Sequence, residues 1–258
     1  MSRAFKVTLS LVFLLAGGIG IWFFLNSMSD QAKAEELGLS PLEYANGTKR
    51  AAAVAKKVTP GLKAAFEEKG LTWGSPVFLR AFKEEAILEL WVKSEEEKFV
   101  LFKSYPIAGQ SGRLGPKLRE GDRQVPEGFY YVAKRQLNPR STFHLSFNIG
   151  FPNDYDKSHE RTGSFIMVHG SDVSIGCLAM TDPMIEEIYT LCDVALNNGQ
   201  KFFRIHIFPF EMKEERLARA TDDEWFDFWQ NLETGYQWFE EKKVPPNVTV
   251  KEKRYSFE

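Results

Sequence analysis

The spacing of apolar and polar residues changes three times along the chain and divides it into four segments. Residues 1–29 are mostly uncharged, 30–75 are rich in Ala, Lys and Glu at helical spacing, 76–210 contain short apolar runs, and 211–258 carry aromatic residues at helical spacing. Many short strands around one central helix predict a mostly β fold with helices, of the α+β class.

The segment 76–210 is predicted to supply most of the β structure. Its apolar runs are short and partly alternating, which is typical of strands. The runs cover residues 77–82, 86–92, 98–105, 129–132, 142–147, 164–168 and 201–208. Residues 183–198 instead repeat apolar side chains at helical spacing, and this pattern makes Cys192 a small core residue of a helix.

The two flanking segments are predicted to be largely helical. Residues 30–75 are interpreted as a stalk or packing arm, in which Thr59 and Pro60 begin the last helix and Gly70 ends it. Residues 211–258 are interpreted as a helical extension that begins at a capping box, Thr-Asp-Asp-Glu. Its aromatic stripe predicts core packing, and an edge strand is expected after the helix.

Residues 1–29 have the layout of a membrane-targeting segment. Residues 2–6 are basic, and residues 7–25 contain no charge and are long enough to cross a bilayer as a helix. A signal peptide has the same layout, and Ala-Lys-Ala at 32–34 offers a small-x-small cleavage site. The segment is therefore either an uncleaved signal anchor or a cleaved signal peptide. In both cases we expect the rest of the chain to be periplasmic.

Charge and cysteine content exclude several classes of site. The chain has 33 basic and 35 acidic side chains that are mixed along its length, so nothing indicates a nucleic-acid partner. The two cysteines do not form a C-x-x-C pair, and the four histidines are scattered. We therefore predict no zinc site and no cofactor. His144 and His159 are interpreted as structural or solvated.

Residues 165–180 carry the candidate chemistry. A run of strand-forming residues ends at His169, a short polar loop follows, and Cys177 lies between Gly176 and a second apolar run. This places a thiol and an imidazole on neighbouring strands, which is what a cysteine nucleophile with a histidine base requires. Gly170 and Gly176 allow close backbone approach, so the peptide N–H groups of Gly176 and Cys177 are candidate oxyanion donors.

This motif resembles the catalytic signature of the L,D-transpeptidase (YkuD-like) family: His-Gly, a polar loop, then Ser-x-Gly-Cys followed by a hydrophobic residue and Met. The closer match is the YafK-like branch of that family. The resemblance covers roughly residues 77–210. Further matches in the same order are residues 115–130, 151–156, 161–164 and 206–210. The resemblance implies a YkuD-like β-sandwich catalytic domain, here with an N-terminal membrane segment and a C-terminal helical extension.

The resemblance also implies roles and a substrate. Cys177 would be the nucleophile, His169 the general base, and the Gly170 carbonyl the group that orients the imidazole. The substrate would be a peptidoglycan stem peptide, attacked at the carbonyl of meso-diaminopimelate to give a thioester. Because such a substrate is rich in carboxylates, we expect a basic and polar lining. The candidates are Arg123, Arg161, Arg204, His206, Ser171 and Tyr155. For His206, a structural histidine with satisfied hydrogen bonds is the alternative interpretation.

Two positions differ from most members of the family. Ile175 stands where a second histidine is common, and Ala179 stands where an arginine is common. Both changes resemble the YafK-like branch and favour hydrolysis of a link between peptidoglycan and an outer-membrane protein or lipoprotein. A true transpeptidase, which forms cross-links or attaches proteins, stays open as an alternative. An inactive wall-binding scaffold is the alternative from another class, and Cys177 and His169 argue against it.

Overall fold

The structure, a computed structural model, describes residues 30–258. The chain divides into two units that meet between Lys57 and Val58. The predicted membrane segment, 1–29, lies outside the described residues. Within 30–258, no helix combines the length and the apolar character needed to cross a membrane.

The described part of the first unit, residues 30–57, is largely helical, as the composition of the N-terminal segment predicts. Residues 30–36 are helical and are followed by α1 (Pro41–Ala45). Ser40 caps α1, because its hydroxyl accepts from the Glu43 N–H while the Glu43 carboxylate accepts from the Ser40 N–H. This reciprocal arrangement satisfies two amide donors that the first turn of a helix would otherwise leave free.

The next helix, α2 (Gly47–Glu68), corrects one prediction. Pro60 does not begin a helix but lies inside α2. An internal proline lacks the N–H of one backbone hydrogen bond, so local preference alone would end the helix here. Leu62 and Phe66, four residues apart on one face, are both buried. Burial of that face outweighs the local preference, as tertiary packing commonly does.

The second unit contains the strands. They are β1 (Val77–Phe82), β2 (Ile87–Lys93), β3 (Phe99–Pro106), β4 (Gly128–Ala133), β5 (Leu137–Asn138), β6 (Ser146–Asn148), β7 (Met167–His169), β8 (Leu178–Ala179), β9 (Phe202–Phe208), β10 (Val248–Lys251) and β11 (Arg254–Phe257). Its further helices are α3 (Asp154–Ser158), α4 (Asp182–Asn197), α5 (Glu214–Ala218) and α6 (Phe226–Lys242).

These strands form two sheets and a hairpin. The five-stranded sheet has the order β3-β2-β1-β9-β4 and is antiparallel except for the β1–β9 pair. The four-stranded sheet has the order β5-β6-β7-β8, in which β7 and β8 are parallel. The hairpin β10–β11 replaces the single C-terminal edge strand predicted from the sequence.

Helix α4 connects the two sheets. It packs against β1 and β9 of one sheet and against β6 and β7 of the other. Phe147 on β6 meets Phe203 on β9 with their ring centroids 5.3 Å apart, and Cys192 on α4 is fully buried. The predicted α+β fold class is confirmed, and the core between the sheets holds the short strands β7 and β8 in place.

The C-terminal segment shares a core with the five-stranded sheet. Trp229, Leu232 and Tyr236 of α6 belong to the same buried cluster as Phe82 and Phe208 of the sheet. Replacing a side chain as large and as buried as Trp229 by alanine typically costs about 3–5 kcal/mol. Residues 211–258 therefore contribute to the stability of the sheet.

Two local predictions fail for identifiable reasons. Helix α6 begins only at Phe226 with Trp225 as its N-cap, so the predicted capping box of Thr221 and Glu224 does not cap it. Asp223 instead accepts from the Trp225 N–H in the preceding turn. The strand predicted over 142–147 is reduced to β6, because His144 adopts a φ of +65° and its Nε2 lies 2.9 Å from the Glu186 carboxylate. That buried contact turns the chain away from the sheet before β6 begins.

Candidate active site

The parallel pairing of β7 with β8 places His169 and Cys177 on one face. Val168 pairs with Leu178 and His169 with Ala179, which puts Met167 opposite Cys177. Side chains two residues apart along a strand point to the same side of a sheet. His169 and Cys177 therefore project from the same face of the four-stranded sheet. The 3.4 Å contact from the Met167 N–H to the Cys177 Sγ agrees with this register.

The imidazole of His169 has one defined tautomer. Its Nδ1 lies 2.5 Å from the Gly170 carbonyl oxygen. Because a carbonyl only accepts, Nδ1 carries the proton and Nε2 is left as the basic nitrogen. The ring is buried and packs beside Phe143, with 4.8 Å between the centroids. The Gly170 carbonyl and this packing fix the orientation of the imidazole.

Burial favours the uncharged forms of both Cys177 and His169. It raises the pKa of the Cys177 thiol above its ordinary value, although the Met167 N–H and the nearby Lys117 ammonium act in the opposite direction. Burial also lowers the pKa of His169, and the Gly170 carbonyl and the Asp182 carboxylate oppose that shift. We therefore expect a neutral thiol beside a neutral imidazole at neutral pH. No hydrogen bond joins these two described side chains, which is common before substrate binds.

The turn after His169 depends on a residue that the sequence reasoning missed. The Ser171 N–H donates to the Asp182 carboxylate over 2.8 Å, at the start of α4. A Cβ on Gly170 would lie 2.4 Å from the same carboxylate oxygen, so only glycine fits there. In the sequence, the signal that could have pointed to Asp182 is its position at the N-terminus of a predicted helix, where an acidic residue is favoured. Asp182 thus anchors Ser171 and the loop that leads to Cys177.

Ser174 holds the backbone around Cys177. Its hydroxyl accepts from the Cys177 N–H over 2.8 Å and donates to the Cys177 carbonyl over 2.7 Å. Of the two predicted oxyanion donors, the Cys177 N–H is therefore engaged, whereas the Gly176 N–H has no partner among residues 30–258. Gly176 has a φ of +116°, a conformation that L side chains rarely adopt.

Positions 175 and 179 have different surroundings. Ile175 is 79% exposed and immediately precedes Gly176. Ala179 is fully buried, and its backbone exchanges hydrogen bonds with Gly109 on the neighbouring segment. A Cβ on Gly109 would lie 3.5 Å from the Ala179 Cβ, so the two segments are in van der Waals contact here. Neither position can supply a charged group beside Cys177.

Comparison with known proteins identifies the family. The model of the YkuD L,D-transpeptidase catalytic domain matches residues 84–207. The chain is 45% identical over 189 residues to the Escherichia coli K12 protein called "Putative L,D-transpeptidase YafK", and equally to its counterpart in strain O157:H7; the alignment covers 73% of this chain and 76% of each relative. This chain belongs to the YkuD family of L,D-transpeptidases. The resemblance predicted from the motif is confirmed, and this family acts on peptidoglycan stem peptides.

Two solved structures of bacterial proteins are also similar. The helical cell shape determining protein Pgp2 (K307A mutant) from Campylobacter jejuni aligns with a TM-score of 0.43 and 21% identity, over 68% of this chain and 71% of that chain. Bd1075 from Bdellovibrio bacteriovorus aligns with a TM-score of 0.36 and 22% identity, over 64% of this chain and 62% of that chain.

Within this L,D-transpeptidase family member, two predicted substrate residues have partners of their own. The Arg161 guanidinium pairs with the buried Asp156 carboxylate over 2.9 Å. Tyr155 stacks on Tyr255 with 4.2 Å between centroids and on Phe228 with 5.3 Å. Both side chains are buried in contact with the C-terminal segment. A substrate carboxylate would have to displace Asp156 to reach Arg161.

Arg204 and His206 lie on β9 in the five-stranded sheet, whereas His169 lies on β7 of the four-stranded sheet and Cys177 immediately precedes its strand β8. The Arg204 guanidinium donates to the Asn247 side-chain oxygen over 2.7 Å, and burial lowers its pKa. Both residues line a cavity of about 270 Å³ at the β10–β11 hairpin. The structure therefore groups these two predicted residues apart from the strands that carry the thiol.

The remaining histidines and the second thiol have structural surroundings. His144 contacts Glu186, and the Nε2 of exposed His159 contacts the Lys253 carbonyl at 2.8 Å. Cys192 is buried inside α4, whereas Cys177 is partly exposed. Among residues 30–258, no three His, Cys, Asp or Glu side chains gather as metal ligands would.

His206 is buried without hydrogen-bond partners. Its side chain is 1% exposed, and neither ring nitrogen has a partner among the described residues. The ring lies between Phe78 and Phe129, with centroid distances of 4.6 and 4.7 Å. Burial lowers the pKa of His206 well below its ordinary value, and the positive charges of Arg204 and Arg80 add to this effect. An unpaired buried polar group destabilises the fold.

We predict that His206→Leu stabilises the protein by about 1 kcal/mol at pH 7, because it removes the unpaired nitrogens. As pH falls below about 6.5, the unfolded state takes up a proton at His206 that the native state excludes, so wild-type stability falls. The advantage of His206→Leu should then widen by up to about 1.4 kcal/mol per pH unit. Urea denaturation at pH 7, 6 and 5 measures both effects.

His206→Gln separates the two causes of this prediction. Glutamine also does not titrate but remains polar, so it should give the gain at low pH without the gain at pH 7. A stability difference between His206→Leu and wild type that does not change with pH would show that His206 is protonated equally in both states.

Proposed function

We propose that this protein is a periplasmic, cysteine-dependent peptidoglycan amidase that cleaves acyl bonds at the meso-diaminopimelate carbonyl of stem peptides through a thioester on Cys177. The observation that carries the proposal is the parallel β7–β8 register, which puts the thiol and the imidazole of known tautomer on one face. The same geometry argues against an inactive scaffold, because a scaffold needs neither group.

In the first step the Cys177 Sγ attacks the substrate carbonyl while the Nε2 of His169 takes the thiol proton. This order follows from the neutral resting pair, since the thiolate forms only as the bond to carbon forms. The Gly176 N–H is free to stabilise the oxyanion, and the Cys177 N–H joins it when Ser174 releases that donor. Collapse of the intermediate breaks the C–N bond, and the leaving amine takes the proton from His169.

In the second step water resolves the thioester. His169, neutral again, takes a proton from water as the oxygen attacks, and the product leaves as a carboxylic acid while the Cys177 thiol is restored. An amine acceptor arrives as an ammonium ion, which must be held and deprotonated before it can react. Ile175 and Ala179 provide no imidazole or guanidinium for that task. Water needs less positioning, so hydrolysis is favoured over transfer.

The surface around the nucleophile suits a substrate that carries a polypeptide. Phe165 is 76% exposed, and its carbonyl lies 3.8 Å from the Cys177 Sγ. Val173 and Ile175 in the adjoining loop are 59% and 79% exposed. Exposed apolar side chains grouped in this way are typical of protein contact surfaces. We therefore infer that the amine released is part of a wall-linked outer-membrane protein or lipoprotein.

The alternative is transfer of the acyl group to the amine of a second stem peptide, and the name of the 45% identical relative favours it. The enzyme is offered protein-linked muropeptides together with free acceptor stems, and the products are identified by mass spectrometry. We expect released protein and free stem carboxylates to predominate. A majority of diaminopimelate–diaminopimelate dimers would establish the transpeptidase instead.

Two variants make this experiment specific. Cys177→Ala should form neither product, which shows that both come from this site. Ile175→His restores an imidazole beside the thioester at an exposed position, where it should not disturb packing. If the missing imidazole limits transfer to amines, Ile175→His should increase the fraction of dimers relative to hydrolysis.

A further inference from the structure

A basic cavity lies beside the loop that precedes β4. Its volume is about 590 Å³, roughly twice that of the cavity at Arg204. It is lined by Gly112, Arg113, Pro116, Leu118, Arg119, Asp122, Gln124 and Trp225. Apart from Trp225, all of these residues come from the segment 112–124, which connects β3 to β4.

The wall of this cavity adjoins the catalytic loop. A Cβ on Gly176 would lie 3.4 Å from the Gln124 carbonyl oxygen and 3.6 Å from the Arg123 Cα, so the two backbones pack together. Lys117 lies in the same segment, and its positive charge lowers the pKa of Cys177 against the larger effect of burial. A substrate whose carbonyl lies at Cys177 can therefore extend into this cavity.

The cavity presents two guanidinium groups that have little else to bind. The Arg119 side chain has no hydrogen-bond or ion-pair partner among residues 30–258. Within the same described range, the Arg113 guanidinium forms an ion pair only with Glu224, at 4.0 Å, and both side chains are exposed, so that pair contributes little. The negative charge of Asp122 is already compensated, because its carboxylate accepts from the Lys117 ammonium over 2.6 Å. The free charge of the cavity is therefore positive.

The cavity also has a fixed shape. A Cβ on Gly115 would lie 2.6 Å from the Trp225 Nε1, so the indole is held against this glycine. The Gln124 side-chain oxygen accepts from the Arg113 N–H over 2.6 Å, and this hydrogen bond connects the two ends of the segment 112–124. A rigid aromatic side chain beside two free guanidinium groups is suited to a ligand that is both apolar and anionic.

We infer that this cavity binds the carboxylates of the stem peptide that extend beyond the attacked carbonyl, with Arg113 and Arg119 as the binding side chains. The inference rests on the proposed function, because it takes the substrate to be peptidoglycan. A guanidinium binds a carboxylate through two parallel hydrogen bonds, which gives both affinity and orientation. The cavity would thus select fragments by their acid groups, separately from the chemistry at Cys177.

The test measures binding without turnover. Cys177→Ala protein is titrated by calorimetry with a soluble disaccharide tetrapeptide, with the same compound amidated at its carboxyl groups, and with the free disaccharide. Adding Arg113→Ala and Arg119→Ala should raise the Kd for the acid form about tenfold or more, as loss of charge-assisted hydrogen bonds does. The Kd for the amidated form should change less than about twofold. Arg254→Ala, an exposed arginine on β11, is the matched control and should change neither.

Each outcome is decisive. In the active enzyme the double arginine variant should raise KM and leave kcat unchanged, since neither side chain touches the reacting atoms. Equal losses for acid and amidated ligands, or no loss at all, would overturn the inference. So would tight, arginine-dependent binding of the disaccharide alone, because the site would then recognise the glycan. If turnover does not require Cys177, the proposed function fails, but the calorimetry still decides whether the cavity binds the stem peptide.

Discussion

Cys177→Ala is expected to lower hydrolysis of protein-linked muropeptides by about 10⁴-fold or more, because the proposed thioester forms on the Cys177 sulfur. Cys177 immediately precedes β8, on the same face as His169, and its replacement by alanine removes one partly exposed sulfur atom. The fold should therefore persist. The rate is measured with released protein as the product, and circular dichroism checks that the variant is folded.

Cys192→Ala is the matched control for this prediction. It removes the same atom from a position buried inside α4, so it should cost about 1 kcal/mol of stability through the small cavity it leaves. Its turnover should stay close to that of the wild type. Full activity in Cys177→Ala, or a comparable loss in Cys192→Ala, would refute the thioester mechanism.

Much of the fold follows from local patterns in the sequence. Strand β1 has the predicted bounds, and β9 and α4 differ from prediction by one residue at their ends. Their side chains alternate or repeat strongly, since each element buries one face or both. The failures arise where distant contacts decide the conformation. Nothing near Pro60 signals the burial of Leu62 and Phe66, and nothing near His144 signals its contact with Glu186.

The candidate site likewise has one part that local sequence predicts and another that depends on distant contacts. Cys177 and His169 are eight residues apart on adjoining strands, so their proximity was predictable from the short connection between them. The residues expected to line the site are not local to that connection. Whether an arginine side chain is available to a ligand depends on which carboxylates lie near it in the fold. Arg161 is paired with Asp156, whereas Arg119 has no partner among residues 30–258. Asp182 was missed for the same reason, because its role depends on the packing of α4.

His169→Ala is expected to lower kcat/KM by about 10²- to 10⁴-fold, as removal of a positioned general base typically does. The Gly170 carbonyl holds Nδ1, so Nε2 is the nitrogen that accepts the thiol proton. Burial raises the pKa of the Cys177 thiol, which leaves little thiolate at neutral pH without that base. Alkylation of Cys177 by iodoacetamide at pH 7 should therefore also be slower in His169→Ala.

The pH dependence distinguishes a base from a structural histidine. His169 must be neutral to act, and burial lowers its pKa, so wild-type kcat/KM should persist below the ordinary value of about 6.5 and then fall as the imidazole takes up a proton. In His169→Ala this acidic limb should disappear, and the remaining rate should increase with pH as the thiol ionises. His206 lies on the other sheet, and His206→Ala should keep the acidic limb. If His206→Ala instead loses that limb and more activity than His169→Ala, then His206 is the base, and the β7–β8 register does not define the site.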